Sequence, residues 1–248
     1  MHINHQTLFL IAKKFADQSK PLHTVQQSIA SSTNKRQLET LSQYCSPEFF
    51  ARMLNHGQHL IQAKDRNNPP CTTGLKCLIA YTSGGLDAAF RMIKSPLFQS
   101  ENPQTYMHIL ELEQLATITL LKIKPTQATN QMVYRNIRLD HNEIQQIQNK
   151  REITLNPITS TSFNFESSHL EGNIDLMIQV PAGAIDIRPL SIYSKKNKSE
   201  EEALLIPGGK LLVDQIAQGR DRRPIALFKT KQTDRGPQLT LFCRHVLN

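Results

Sequence analysis

The hydrophobic pattern of this chain changes its period near residue 132. Before that point apolar residues recur at the spacing of an α-helix, and from Met132 onward they alternate with polar residues. Helices first and strands later predict an α+β chain, in which N-terminal helices precede a mostly antiparallel sheet or a pair of packed sheets.

Several helices are predicted before residue 132. Ser46-Pro47-Glu48 has the composition of a helix start, because it offers a cap, a proline for the first turn and an acid for the positive end of the helix dipole. Ser83 is the predicted cap of a later helix, and another is predicted to begin near Asn102-Pro103. The apolar positions that carry the helical period are Leu8, Ile11, Ala12 and Phe15; Leu38, Leu41 and Tyr44; Phe49, Phe50, Met53 and Leu54; Leu86, Ala89, Phe90 and Ile93; and Ile109, Leu112, Leu115, Ala116 and Ile118.

Strands are predicted in the second half of the chain. Alternation is clearest over residues 174–180, and Pro181-Ala182-Gly183 is a predicted turn. Residues 203–206 and 211–213 flank Pro207-Gly208-Gly209, which predicts a hairpin. Further strands are predicted at 225–228 and 239–243.

The best candidate for a linker is the charged, proline-containing stretch 64–70. It predicts a helical N-terminal extension over residues 1–70 and a second domain over residues 71–248. The chain has 248 residues with 39% hydrophobic and 20% charged composition, which is typical of a globular protein with a sizeable core. We expect no transmembrane segment, because no apolar run approaches the length needed, and no secretory signal peptide, because no cationic start precedes the short apolar run at 8–12.

The net charge of +8 predicts attraction to anions, such as nucleic acid, an acidic membrane or a phosphate-bearing cofactor, or simply a basic solvated surface. Aromatic residues make up 6% of the chain and none is Trp, so stacking platforms for nucleic acid are scarce and we expect no nucleic-acid partner. The four cysteines lack the spacing of metal ligands, which predicts reduced thiols and no metal site.

Three short segments carry the candidate chemistry: Arg135, the triplet Ser160-Thr161-Ser162, and Glu200-Glu201-Glu202 followed by an apolar strand. Each is ordinary alone, since an arginine on a strand or a run of glutamates is usually a solvated surface feature. Together they suit an anionic substrate that carries a ribose. A guanidinium binds phosphate through two parallel hydrogen bonds, a hydroxyl orients a ring, and a carboxylate stabilises positive charge at a sugar carbon.

The order of these segments resembles that of mono-ADP-ribosyltransferases of the arginine–serine–glutamate class, which includes bacterial toxins. The resemblance covers roughly the last two thirds of the chain. It implies the ADP-ribosyltransferase fold with a β-sandwich core, NAD as substrate and no metal. It also implies a host protein that presents an acceptor arginine. With no signal peptide expected, the sequence favours a bacterial effector delivered into the host cell by a specialised secretion system.

The resemblance also implies a role for each site residue. Arg135 binds the phosphates, Ser160 orients the nicotinamide ribose and holds Glu202, and Glu202 stabilises the charge that develops when the glycosidic bond breaks. Tyr193 and Glu200 recognise the acceptor. The remaining residues implied to bind NAD are Tyr134, Thr161, Ser162 and Phe163, and the segment from Phe163 to Gly172 is implied to lie over the nicotinamide.

Position 200 holds a glutamate and not a glutamine, and this favours arginine as the acceptor residue. Guanidinium groups stay protonated in solution, so the attacking nitrogen needs a carboxylate to orient it and to accept its proton. One departure from the family pattern is Asn136, which stands where a glycine commonly follows the arginine. Two alternatives stay open at this point: an NAD glycohydrolase that uses the same site with water, and a non-enzymatic basic binding module.

Overall fold

The computed structural model describes residues 37–126, 131–155, 158–165, 172–191, 201–218 and 239–247. The helix predicted around Leu8 and Ile11 and the strand predicted at 225–228 lie outside these ranges. The chain forms two compact units, one of Met1–Lys124 with Ile187–Lys196 and the other of Pro125–Asp186 with Asn197–Asn248. The domain boundary near residue 70 stays a prediction.

The described part of the first unit is helical. Residues 37–42 are helical, and a short 3-10 helix spans Gln58–Leu60. The α-helices that follow are α1 (Pro47–Gly57), α2 (Thr72–Thr82), α3 (Gly85–Met92), α4 (Pro96–Glu101) and α5 (Pro103–Lys122).

Helix α1 begins where the sequence predicts. The Ser46 hydroxyl accepts a hydrogen bond from the Phe49 backbone N–H at 3.2 Å, and a proline occupies the first turn. Its apolar face is buried at Phe50, Met53 and Leu54. Since burying a side chain of this size contributes roughly 1.5–3 kcal/mol, packing holds α1 in place more than helix propensity does.

The prediction that Ser83 caps a following helix is wrong. Ser83 ends α2 instead, with its hydroxyl donating to the Ala80 carbonyl at 2.7 Å. Gly84 is the N-cap of α3, at φ 89°, a left-handed conformation that glycine adopts without steric cost. The periodicity does not reveal α2, because residues 77–82 are all buried and this half of the helix has no polar face.

The chain returns to the first unit at residues 187–191. Ile187, Leu190 and Ser191 are fully buried there. Gly57, at the end of α1, approaches this segment so closely that an added Cβ would lie 2.1 Å from the Pro189 carbonyl oxygen. A larger residue at position 57 would collide with Pro189, so the packing of α1 against residues 187–191 requires glycine there.

The second unit contains an eight-stranded sheet and helix α6 (His141–Lys150). The strands are β1 (Met132–Ile137), β2 (Glu152–Thr154), β3 (Ser160–Ser162), β4 (Ile174–Gln179), β5 (Ile185–Asp186), β6 (Glu202–Leu204), β7 (Gly209–Gln218) and β8 (Leu239–Leu247). Their order is β2-β7-β8-β4-β1-β3-β6-β5, and all neighbours are antiparallel except β4 and β8.

The predicted hairpin of 203–206 with 211–213 is wrong. Strand β6 pairs with β3 and β5, whereas β7 pairs with β2 and β8. The chain does turn at Pro207 and Gly208, the latter at φ 91°. A turn signal specifies a change of direction, but not which strands then pair.

Helix α6 falls within the region where only strands are predicted. It begins with a capping box, in which Asp140 accepts from the Glu143 N–H at 2.8 Å and Glu143 accepts from the Asp140 N–H at 2.7 Å. An aspartate three residues before a glutamate is a sequence signature of a helix start, so this helix was predictable from its cap.

Both faces of the central strand β4 are covered. Leu176 and Ile178 belong to the main apolar cluster, together with Val133 of β1. On the other face, Met177 packs with Tyr134 and Phe165 in a smaller cluster. In the described part of the chain, no helix combines the length and the apolar character needed to cross a membrane.

Candidate active site

Strand β3 brings the three predicted segments together, because it lies between β1 and β6. Ser162 pairs with Tyr134 of β1 on one side and with Glu202 of β6 on the other. Arg135 is next to Tyr134 in sequence, so the arginine, the hydroxyl triplet and the glutamate occupy three adjacent strands. Residues far apart in sequence thus meet through strand pairing alone.

Ser160 contacts both charged side chains. Its hydroxyl donates to the Glu202 carboxylate at 3.1 Å, and its carbonyl oxygen accepts from the Arg135 guanidinium at 2.5 Å. The described geometry therefore joins Arg135, Ser160 and Glu202 in one hydrogen-bonded set, as their assignment to a single site requires.

Glu202 is the first residue of β6 and therefore lies on a paired strand. The backbone ladder holds it on both sides, since Phe163 N donates to Glu201 O at 2.8 Å and Leu205 N donates to Thr159 O at 3.0 Å. A carboxylate on a paired strand is held more rigidly than one on a loop, which suits a group that stabilises charge by preorganisation.

Arg135, Ser160 and Glu202 are more exposed to solvent than Thr161 and Ser162. Arg135, Ser160 and Glu202 are half-buried and accessible to a ligand. Thr161 and Ser162 are buried and bonded to the backbone: the Thr161 hydroxyl donates to Ala203 O at 2.9 Å, and the Ser162 hydroxyl accepts from Asn164 N at 3.0 Å. Their predicted contacts with NAD stay predictions.

The two aromatic residues predicted to bind NAD pack against apolar clusters. The Tyr134 ring meets the Phe165 ring edge-on, with the centroids 5.3 Å apart, and burial raises the pKa of the Tyr134 phenol. Phe163 is half-buried against the main apolar cluster. The predicted acceptor residues Tyr193 and Glu200 lie outside the described residues.

Asn136 is a polar residue whose contacts the sequence did not reveal. Its side chain is 4% exposed and makes three hydrogen bonds. The amide nitrogen donates to Asp175 Oδ1 at 2.8 Å and to Ile174 O at 3.2 Å, and the amide oxygen accepts from Gly172 N at 2.5 Å. The signal that could have found it is its place directly after the candidate phosphate-binding arginine.

Among the residues described, no group of three or more His, Cys, Asp or Glu side chains is arranged to hold a metal ion. The four cysteines are free thiols. The candidate site combines a guanidinium, a hydroxyl and a carboxylate, which are groups that suit the phosphates and ribose of a dinucleotide.

No family model and no curated protein matches the sequence. Among solved structures, the type III effector XopAI from Xanthomonas axonopodis pv. citri is 14% identical, with a TM-score of 0.57 over 99% of this chain and 95% of that one. ADP-ribosyltransferase Vis in complex with agmatine is 13% identical, with a TM-score of 0.51 over 84% of this chain and 85% of that one.

ADP-ribosyltransferase HopU1 of Pseudomonas syringae pv. Tomato is 16% identical, but the alignment spans 58% of this chain and only 54% of that one, with a TM-score of 0.35. The fold rests on the likeness to XopAI and Vis. The chain has the ADP-ribosyltransferase fold, and the predicted α+β class of helices followed by a mostly antiparallel sheet is confirmed. This is the fold that the resemblance implied.

Proposed function

We propose that this protein is an NAD-dependent mono-ADP-ribosyltransferase that transfers ADP-ribose to an arginine of a host protein and releases nicotinamide. The observation that carries the proposal is the hydrogen-bonded set of Arg135, Ser160 and Glu202 on three adjacent strands of the ADP-ribosyltransferase fold. Coincidental segments in a binding module would have no reason to meet at one place in this fold.

In this proposal Arg135 binds the phosphates of NAD. A guanidinium presents a rigid fork of N–H donors that matches phosphate oxygens. Arg135 is half-buried, so its charge is accessible yet less screened than on an open surface. Its hydrogen bond to the Ser160 carbonyl attaches the guanidinium to β3.

Glu202 stabilises the transition state. The bond between the ribose C1′ and the nicotinamide nitrogen breaks, nicotinamide leaves with the electron pair, and positive charge develops on the ribose. A carboxylate held beforehand by the Ser160 hydroxyl interacts more strongly with that charge than with the ground state. Ser160 therefore orients Glu202 as well as the sugar.

Glu200 is assigned to the acceptor. The guanidinium nitrogen forms the new bond to C1′ and gives up a proton, which Glu200 accepts. Residues two apart in an extended chain share a face, and this spacing is the reason for assigning Glu200 and Glu202 to one site. The structure of Vis with agmatine, itself a guanidinium compound, supports this class of acceptor.

Delivery into a host cell completes the proposal, since XopAI, which has the same fold, is a type III effector. The experiment is incubation of the protein with labelled NAD and host-cell lysate, beside the Glu202→Gln variant. Label on a protein band with the wild type alone supports transfer. Free ADP-ribose without labelled protein would show that the protein is an NAD glycohydrolase and not a transferase. Unchanged NAD would favour the non-enzymatic binding module.

A further inference from the structure

A short antiparallel ribbon forms where the C-terminal end of α5 meets residues 62–64. Ala63 is bridged to Ile123, and Lys64 N donates to Lys122 O at 2.8 Å. In an antiparallel pairing with this register, Lys64 lies directly opposite Lys122. The ribbon thus brings together lysines that are far apart in the sequence.

Three lysines share the outer face of this ribbon. Ile123 is 3% exposed and marks the inner face, and residues next to a buried position in an extended chain point the other way. Lys124 is held in the ribbon by the bond from its N–H to Gln62 O at 2.8 Å. Lys64 and Lys124 are exposed and Lys122 is half-buried, and we call these three residues the lysine face.

The positive charge of the lysine face is not neutralised within the described residues, where none of its three lysines forms an ion pair. The adjacent Asp65 uses its carboxylate in its own turn, accepting from Asn67 N at 2.9 Å. Like charges directly opposite each other on paired strands are destabilising, so Lys64 and Lys122 lower the stability of the isolated protein. The negative end of the α5 dipole accounts for Lys122 in the last turn, but Lys64 and Lys124 lie outside the helix.

The chemistry of the lysine face suits an extended anionic surface more than a single small anion. Lysine ammonium groups are point charges on flexible stems, whereas the forked capture of one phosphate or carboxylate is a property of arginine. Residues 58–68 and 120–126 contain no Phe, Tyr or Trp on which the bases of a nucleic acid could stack. These features favour a lipid surface over a nucleic acid.

An exposed leucine adjoins the lysine face. Leu60 ends the short 3-10 helix that leads into the ribbon, and 54% of it is exposed. Insertion among lipid chains removes such a side chain from water, which is favourable. Attraction of lysines to anionic headgroups and burial of apolar area are the two contributions that hold a peripheral protein on a membrane.

We propose that the lysine face and Leu60 form a docking surface for an anionic lipid membrane. The lysines contact the headgroups, and Leu60 enters the boundary between the headgroups and the acyl chains. Binding of this kind lies on the membrane surface and needs no spanning helix. The inference is independent of the proposed function, because the surface contains none of the candidate active-site residues.

The test is sedimentation of the 248-residue chain with vesicles of phosphatidylcholine alone or of phosphatidylcholine mixed with phosphatidylserine. We expect the wild type to bind the mixed vesicles and not the neutral ones. A lysine near an anionic membrane contributes roughly fivefold to the partition constant, so the triple variant Lys64→Gln/Lys122→Gln/Lys124→Gln should lose roughly 10²-fold.

A control variant removes the same charge from exposed positions in the second unit. It carries the substitutions Lys150→Gln, Arg151→Gln and Arg244→Gln. The proposal assigns these residues no contact with the membrane, so the control should lose much less affinity than the lysine-face variant. An equal loss in the two triple variants would overturn the inference, because binding would then follow net charge alone.

Leu60→Gln distinguishes a membrane from other polyanions. Insertion of the leucine contributes roughly tenfold, so this variant should bind the mixed vesicles more weakly by about that factor. Leu97→Gln is the matched control and should bind normally. Leu97 is 64% exposed and precedes the start of α5, whose 20 residues separate it from the ribbon by roughly 30 Å. Vesicle binding that does not respond to Leu60→Gln would overturn the inference.

Competition with double-stranded RNA tests the other class of partner. If RNA displaces the protein from the vesicles, and its own binding is weakened by the lysine-face variant but not by Leu60→Gln, the surface belongs to a nucleic acid and the inference is wrong. Equal binding to both kinds of vesicle, or to neither, would also overturn it. Thermal unfolding checks each variant, and the lysine-face variant should melt no lower than the wild type because it removes a like-charge pair. The lysine-face variant and Leu60→Gln probe the surface separately, so one folded variant suffices.

Discussion

Ser160 and Glu202 form a diagonal pair across two strands. In the register of β3 and β6, Ser160 is opposite Leu204 and Ser162 is opposite Glu202, yet the Ser160 hydroxyl reaches the Glu202 carboxylate at 3.1 Å. Residues two apart in a strand share a face, so the diagonal contact keeps both groups on one side of the sheet. Ser160 thereby orients the carboxylate on which the proposed chemistry depends.

Glu202→Gln should abolish both transfer and NAD hydrolysis. Glutamine keeps the size and the capacity to accept a hydrogen bond from Ser160 but loses the negative charge, so we expect a loss of more than ~10²-fold in nicotinamide release. Glu201→Gln is the matched control, because it makes the same change of charge at the neighbouring position, to which the proposal assigns no catalytic role. Near-normal turnover by the Glu202 variant would show that Glu202 does not stabilise the charge on the ribose.

Arg135→Lys should weaken NAD binding although the charge is kept. Lysine lacks the forked donor geometry that matches two phosphate oxygens, and it is a poorer match to the Ser160 carbonyl. Calorimetric titration with NAD measures the change. Arg244→Lys, on an exposed arginine paired with Asp214, should leave the affinity unaltered. Equal affinities for wild type and Arg135→Lys would make Arg135 a structural residue.

Glu200→Gln should separate transfer from hydrolysis. Glu202 still stabilises the ribose charge, so NAD is cleaved, but the acceptor guanidinium loses the group that takes its proton. Nicotinamide release and protein labelling are measured in parallel on the same preparation, with agmatine as a small guanidinium acceptor in a second series. Equal losses in both activities would assign Glu200 to NAD binding and would weaken the case for arginine.

Glu113 should make the stability of the protein fall as pH rises. This glutamate is buried in α5, and desolvation raises its pKa from 4.5 to about 7, although Lys94 acts in the opposite direction. As pH rises, Glu113 ionises in the unfolded chain before it ionises in the folded protein. The free energy of unfolding therefore declines by on the order of 3 kcal/mol between pH 4.5 and 7 and levels off at higher pH. Glu113→Gln should remove this decline in chemical denaturation measured across the pH range.

A second buried group, His245, changes the stability with pH in the opposite direction, so its effect must be separated from that of Glu113. Burial lowers the pKa of His245 from 6.5 to about 4, so its contribution to stability rises between those two pH values. Both proteins in the comparison keep His245, so their difference isolates Glu113. A difference between wild type and Glu113→Gln that does not change with pH would contradict the role given to Glu113.

A fragment that begins at residue 71 should keep basal NAD cleavage but lose stability. Arg135, Ser160 and Glu202 all lie in the second unit. The truncation removes α1 and the short pairing in which Lys64 N bonds to Lys122 O and Lys124 N bonds to Gln62 O, each at 2.8 Å. We expect 71–248 to unfold at a lower temperature than 37–248, as measured by calorimetry. Equal melting temperatures would favour an independent domain that begins at residue 71.

The sequence by itself was sufficient for the local elements whose signals lie in adjacent residues. The start of α1 at Ser46, the start of α5 near Asn102 and the strand at β4 follow from caps, prolines and alternation, which act within a few residues. It was also sufficient for the candidate chemistry, because a guanidinium, a hydroxyl and a carboxylate have the same chemical capacities wherever the fold puts them.

Tertiary structure decided everything that depends on pairing across long stretches of chain. The partner of β6 is β3 and not β7, and this choice alone places Glu202 beside Ser160. Helix α2 carries no polar stripe over residues 77–82, because all of them are buried, and the close approach of Gly172 to Asn136 joins residues 36 positions apart. Local propensity and periodicity describe one segment at a time, whereas strand partners and buried contacts are selected by the free energy of the whole packed unit.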